Sequence, residues 1–317
     1  MSEVILFGEP MVLFIADTVG PLEEVEHFTR SLAGAEVNVC IGLTRLGHNA
    51  TYITRLGDEP LGHYIENFLK KEKIGTEFIT YDTVYKTGIQ LKNKVISGDP
   101  YAPYYRLGSA ASHLGIEEID AIDFTGIRLV HITGIPPALS PSCREATYRL
   151  IERARENDVY LSFDPNLRPA LWESEEIMIQ VINDIASKCD MILPGTSEGQ
   201  ILLGSSDPEK IADFYEAKGC KRIIVKIGAD GSYVRDDGNS YTVPGFAVEK
   251  VVDTVGAGDG FAAGVISGLL EDLSLQEAVR RGNAVGSIQV MNISDNEGLP
   301  TKELLKKYLQ TAKINER

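Results

Sequence analysis

The stretch Asp253-Thr254-Val255-Gly256-Ala257-Gly258-Asp259-Gly260-Phe261 decides how this chain is read. Positions 256 to 258 are small, so the backbone there can approach a ligand closely. An apolar helical pattern, Gly260–Glu271, follows at once. Amides at a helix start lack intrahelical partners, and the helix dipole favours negative charge beside them. Such a nest suits the charge that develops on a phosphoryl group in transfer. Asp259 stands at its edge, positioned to take a proton from an attacking hydroxyl, and the helix start is expected to keep it ionised. Gly-Ala-Gly alone reads as a turn that begins a helix. Two carboxylates framing it and the apolar helix behind it favour a site. The stretch is no dinucleotide fingerprint, because Phe261 stands where the third glycine belongs. Nor is there a P-loop, since the chain contains no Gly-Lys pair.

Outward from this stretch, short β-branched runs alternate with amphipathic segments. Strands are expected at Val4–Phe7, Tyr52–Thr54, Leu129–Thr133, Val159–Phe163, Met191–Leu193 and Arg222–Ile227. Helices are expected at Ala35–Leu46, Leu61–Lys73, Ser142–Glu156, Glu175–Ser187, Pro208–Lys218, Leu275–Val290 and Lys302–Ala312. Several strands are apolar nearly throughout, as strands covered on both faces are. The pattern predicts an α/β fold with a mostly parallel central sheet between two helical layers. Two segments break the alternation. Met11–Ala16 reads as a second strand directly after the first, and Thr87–Arg106 as two strands about the turn signal Ser97-Gly98-Asp99-Pro100. A small β-sheet lid, near residues 11–33 and 87–106 of one domain spanning 1–317, accounts for both.

The 317 residues carry a net charge of −15. An acidic surface argues against nucleic acid and anionic membranes as partners, while leaving room for a small anion held by a few local cations. Cys40, Cys143, Cys189 and Cys220 show no metal-ligand spacing and read as reduced, buried thiols. Met1–Gly8 has no basic region followed by an apolar one, and the apolar run Phe261–Leu270 is too short to span a bilayer. A cytoplasmic location is expected.

The 253–261 stretch resembles the C-terminal signature of the ribokinase-like (PfkB-type) carbohydrate kinases. Their N-terminal signature is matched by Ala33-Gly34-Ala35-Glu36-Val37-Asn38 and the helix after it. The resemblance covers essentially the whole chain. It implies a ribokinase-like three-layer α/β/α fold, ATP and Mg²⁺, and catalysis by Asp259 with the amides of Gly256, Ala257 and Gly258. Four further segments resemble the branch of the family that phosphorylates 2-keto-3-deoxygluconate at O6: Gly8–Met11, Tyr104–Ser112, Phe163–Arg168 and Glu297–Pro300. By that resemblance Gly34, Ala35, Glu36 and Asn38 contact the sugar. Tyr104, Arg106 and Arg168 surround its carboxylate end, with Asp295 nearby. The chemistry agrees, because an arginine fork matches two carboxylate oxygens.

The resemblance assigns Lys226, Gly228 and Gly231, on the loop Lys226-Ile227-Gly228-Ala229-Asp230-Gly231, to the nucleotide. Asn166 and Asn283 are assigned with them. There are two departures. Glu198 matches the last position of the family's N-x-x-E motif, which organises Mg²⁺ through water, but Gly195 replaces its asparagine. Gln90 lies on the lid where some relatives carry tyrosine. A kinase for fructose, ribose or another keto acid is the nearest alternative, and a catalytically inactive sugar-binding protein a more distant one. Lid edges need covering, so a homo-oligomer through the lid is expected.

Overall fold

The computed structural model describes residues 2–96, 100–292 and 295–315. In chain order the strands are β1 (Val4–Phe7), β2 (Met11–Val19), β3 (Phe28–Ala33), β4 (Ala50–Gly57), β5 (Gly75–Asp82), β6 (Ile89–Lys94), β7 (Tyr104–Tyr105), β8 (Leu129–Thr133), β9 (Tyr160–Asp164), β10 (Met191–Ile192), β11 (Arg222–Lys226), β12 (Gly231–Asp236) and β13 (Asn239–Pro244). The helices are α1 (Ala35–Arg45), α2 (Pro60–Lys71), α3 (Ile116–Asp120), α4 (Pro136–Leu139), α5 (Pro141–Glu156), α6 (Glu175–Ser187), α7 (Thr196–Leu203), α8 (Pro208–Ala217), α9 (Ala257–Leu270), α10 (Leu275–Gln289) and α11 (Lys302–Thr311).

Nine strands form one sheet in the order β13-β12-β11-β10-β9-β8-β1-β4-β5. It is parallel from β11 through to β5, and only the hairpin of β12 and β13 runs antiparallel. β1 shows how the layers arise. Its residues are all buried, and the two-residue period sends Val4 and Leu6 into a core with α1, α9 and α10, while Ile5 and Phe7 enter the opposite core with α5, α6 and α8. A strand covered on both faces has no polar side to show, so it reads as an unbroken apolar run.

Four strands form a second, small sheet in the order β3-β2-β6-β7. β2 pairs antiparallel with β3 and parallel with β6, and β6 pairs antiparallel with β7. Residues 97–99 of the expected turn lie outside the described residues. Sequence reasoning did not mark β3, β5, β12 or β13 as strands. β3 and β5 are half polar and carry weak alternation, and β12 and β13 are built mainly on hairpin geometry.

α9 begins one turn earlier than its apolar pattern indicates, at Ala257 with Gly256 as N-cap. Gly256 has φ +76°, and a Cβ there would collide with the Asp295 carbonyl oxygen. Ala257, Gly258 and Asp259 therefore form the first helical turn. Farther along, a Cβ on Gly264 would lie 2.7 Å from the Gly282 Cα of α10. Small residues at this crossing let the two helices pack backbone to backbone, which seats α9 firmly behind the nest.

Candidate active site

Two cavities meet at the C-terminal ends of the parallel strands, where open α/β sheets place their ligands. The first, about 650 Å³, lies under the small sheet. The second, about 590 Å³, lies between the hairpin β12–β13, the start of α9 and the C-terminal half of α10. Lys226, Thr254 and Gly258 line both. The first-turn amides of α9 therefore sit at the junction, with Asp259 on the side of the first cavity.

Asp259 is 8 % exposed. Its Oδ2 accepts from Asn38 Nδ2 at 2.8 Å and its Oδ1 from Asn166 Nδ2 at 3.3 Å. Burial pushes its pKa up to about 7; Asn38's donor and the Arg168 charge oppose the rise, while Asp164 and Glu36 add to it. The expectation that the helix start keeps Asp259 ionised is therefore corrected. Desolvation together with two neighbouring acids outweighs the dipole, and near pH 7 the carboxyl is poised between its two forms. Lys226 Nζ pairs with Asp164 Oδ2 at 2.8 Å. Its burial disfavours the charge, but Asp164, Glu198 and Asp259 raise its pKa on balance, so it stays an ammonium at the junction.

The first cavity collects most of the residues expected there. Gly34, Ala35 and Asn38 come from the start of α1, Gln90 from β6, Tyr104 from β7, and Arg106, Arg168 and Asp295 from loops. Glu36 does not line it, which corrects its assignment to the sugar. At 100° per residue, Gly34 and Ala35 share a face with Asn38 while Glu36 points away. It is fully buried, hydrogen-bonded to Thr133, and packed beneath Gly8. Burial raises its pKa to about 7.

The two arginines differ. Arg106 Nε donates to Glu9 Oε2 at 2.7 Å, and its Nη2 pairs with the same carboxylate. Among the described residues the Arg168 side chain has one hydrogen bond, to the Leu167 carbonyl, and no carboxylate within ion-pair distance. Asp295 is engaged by Lys92, whose Nζ lies 3.3 Å from Asp295 Oδ1 and 2.9 Å from Asp253 Oδ2. Sequence reasoning passed over Glu9 and Lys92. A charged residue on a strand of a solvent-facing sheet carries no signal of burial, and Glu9, though it lies in the Gly8–Met11 segment that carries part of the resemblance, receives no role of its own from it.

Lys226, Gly228, Gly231 and Asn283 line the second cavity, together with Ala257 and Phe261. Asn283 accepts from Ser232 and donates to the Val243 and Pro244 carbonyls, so its amide ties α10 to the hairpin. Asn166 is in the first cavity, not the second, because the turn after β9 holds it at φ +40° beside Asp259. Glu198 borders the first cavity and accepts backbone amides of Leu167 and Gly195. Among the described residues no three His, Cys, Asp or Glu side chains converge on a metal-sized site. No helix there is long and apolar enough to cross a membrane.

Residues 1–302 match the family model described as pfkB family carbohydrate kinase. The chain is 44% identical over 308 residues to the 2-dehydro-3-deoxygluconokinase of Bacillus subtilis (strain 168), covering 97% of this chain and 95% of that protein. It is 33% identical over 313 residues to the 2-dehydro-3-deoxygluconokinase of Thermoproteus tenax, covering 96% and 95%. Among solved structures it is similar to a PfkB protein from Polaromonas sp. JS666, with a TM-score of 0.88, 43% identity, and 96% and 99% of the two chains covered.

Proposed function

The chain belongs to the pfkB family of carbohydrate kinases, phosphotransferases with an alcohol acceptor, and from that premise we propose that it transfers the ATP γ-phosphoryl group to O6 of 2-keto-3-deoxygluconate. The observation that carries the substrate class is Arg168. It is a guanidinium on the wall of the first cavity without a carboxylate partner among the described residues. Asp259, Glu36 and Asp295 feel its charge from a distance, but among the described residues its fork has no direct carboxylate partner; a neutral sugar would leave it so, whereas the carboxylate of a sugar acid pairs with it. Tyr104 and Gln90 border the same cavity and add neutral donors. Arg106, already neutralised by Glu9, contributes hydrogen bonds and shape more than net charge. Its similarity to the two 2-dehydro-3-deoxygluconokinases supports the same substrate.

The sugar occupies the first cavity and ATP the second. Asp259, ionised in the fraction of enzyme that turns over, takes the hydroxyl proton. The amides of Gly256 and Gly258 and the Lys226 ammonium face the charge that spreads over the transferred group; the Ala257 amide, expected with them, instead donates to the Thr254 carbonyl at 3.3 Å and closes the turn before α9. The donor set fits a Mg²⁺ carried on phosphates and water, as this ion prefers, with Glu198 and Asp164 the carboxylates placed to hold such waters. Bound Mg²⁺ would neutralise phosphate charge. The small sheet acts as a lid that excludes water. Among the described residues its edge strands, β3 and β7, have no further strand beside them, Val19 and Tyr105 are exposed on it and Leu107 is exposed just past β7, which supports pairing with a second copy of this chain.

A coupled assay with Mg-ATP over about a dozen sugars and sugar acids tests the reading. The expected result is a kcat/KM for 2-keto-3-deoxygluconate that exceeds those for fructose and ribose by at least tenfold. Equal efficiency on fructose would overturn it.

A further inference from the structure

Asp259 has two amide donors, and the orientation of one of them is dictated from a distance. We propose that Asn296 is a positioning residue for the base: acting through Asn38, it fixes which end of the Asn38 amide faces Asp259. The proposal rests on the reading of Asp259 as the base.

The argument is one of polarity. The Leu32 carbonyl oxygen can only accept a hydrogen bond. Asn296 lies 2.9 Å from it, so the Asn296 atom there is its NH₂ group. The same nitrogen lies 3.3 Å from the Asn38 side chain. Because it donates, the Asn38 atom that meets it is the oxygen, Oδ1. The opposite end of Asn38 is then NH₂, and it lies 2.8 Å from Asp259 Oδ2 as a donor to a carboxylate. A polarity set by one backbone carbonyl thus passes through two amides to the base. Turning Asn38 over would set oxygen against carboxylate and NH₂ against NH₂, so the two contacts at its ends hold only in one orientation.

The relay is built to stay in place. Asn38 and Asn296 are each 2 % exposed, so water does not compete for these bonds. The Asn296 backbone is pinned by Arg45, the last residue of α1, which donates to the carbonyls of Asn296 at 2.7 Å and Leu299 at 3.1 Å. The end of α1 therefore holds the loop that reaches back to the first turn of the same helix. The charged groups facing Asp259 are Glu36 from α1, Asp164 from β9, Arg168 after it, and Lys226 from β11. None of them is a hydrogen-bond partner of the Asn296 side chain, which bonds the Leu32 carbonyl and Asn38, so that side chain acts on the base through Asn38.

The test is the pH profile of kcat for the full chain with Mg-ATP and 2-keto-3-deoxygluconate. Four proteins are compared: wild type, Asn296→Leu, Asn38→Leu and the double variant. In Asn296→Leu the Asn38 amide is held at one end only, by the Asp259 carboxylate itself, and can turn over when that carboxyl is protonated; kcat is expected to fall by up to about tenfold, the worth of one well-placed hydrogen bond. KM for ATP stays within about twofold. The acid limb moves to higher pH, because the protonated carboxyl no longer faces a donor fixed against it: Asn38 can turn to accept its proton, which favours the protonated form. The double variant is expected to match Asn38→Leu alone, since a residue that acts only through another adds nothing once that one is gone. An unmoved acid limb, or losses that multiply in the double variant, overturns the proposal. If Asn296→Leu does not fold, Asn296→Ser is read by the same two criteria. Asp259→Asn separates the two levels of inference. If it keeps more than half of the wild-type kcat, the base reading fails; if it is inactive while the Asn296→Leu limb is unmoved, only the relay fails.

Discussion

Asp259 concentrates the residue-scale chemistry. Its carboxyl is held near pH 7 by burial and by Asp164 and Glu36, so the base is lost as pH falls through about 7 and gained as pH rises. The kcat profile should therefore show an acid limb near 7, well above an ordinary carboxylate. Asp259→Asn should remove that limb and lower kcat by about 10²–10⁴-fold with little change in sugar binding. Arg168→Ala should weaken kcat/KM for the sugar acid by about 10–100-fold, one charge-assisted hydrogen bond's worth, and leave neutral sugars almost untouched. Equal losses on both classes would remove Arg168 from carboxylate recognition. Glu36 answers to stability instead. Its folded pKa, about 7, lies above the unfolded value near 4.5. The native state thus holds the extra proton between those values, and wild-type stability declines as pH rises through that window. Glu36→Gln carries no such titration, so its melting temperature relative to wild type should improve between pH 5 and pH 8. A difference that is constant with pH would mean Glu36 does not titrate on folding.

At the scale of elements, the small sheet meets the nest through Lys92. That residue projects from β6 to Asp253 and Asp295, and burial is outweighed by those two acids so that its pKa rises. Asp253 also accepts from the Val255 amide through Oδ1 at 3.0 Å, which shapes the approach to Gly256. The Asp295 carbonyl packs against Gly256 itself. Moving β6 thus moves both segments that frame the α9 N-terminus. Lys92→Met takes the shared cation from the buried Asp295 and the partly buried Asp253, a costly arrangement above all for Asp295. It should lower kcat/KM by about tenfold or more and reduce amide-exchange protection in both β6 and residues 253–258. Wild-type protection in 253–258 would show that the sheet and the nest are independent. In the wild type, adding sugar should increase protection across Thr87–Arg106 if this sheet closes as a lid.

At the scale of the whole molecule, the small sheet leaves edge strands β3 and β7 open, with Tyr105 62 % exposed. Light scattering behind size exclusion should give at least twice the mass of one chain. Replacing Tyr105 and Leu107 together by Asp should shift it to that of a monomer. A monomeric wild type would end the pairing proposal.

How far the chain could be read without its fold follows from the range of each interaction. Helices α1, α5, α6 and α10 and strands β1 and β8 were legible to within a residue or so, because period and caps are local: Ser140, Ser174 and Ser274 each cap the helix that follows them. The nest was legible for the same reason, as Gly256 through Asp259 are consecutive. Periodicity marks which residues are buried, but it does not say which partner a buried charge meets. Glu9 and Arg106 are 97 positions apart, Lys92 and Asp295 203, and Asn38 and Asp259 221. Only the packed sheet and the loops over its strand ends bring these groups together. The fold therefore decided that Glu36 faces the core, that Arg106 is neutralised while Arg168 is not, and that Asp259 titrates near 7, because each depends on desolvation and on neighbours remote in the chain.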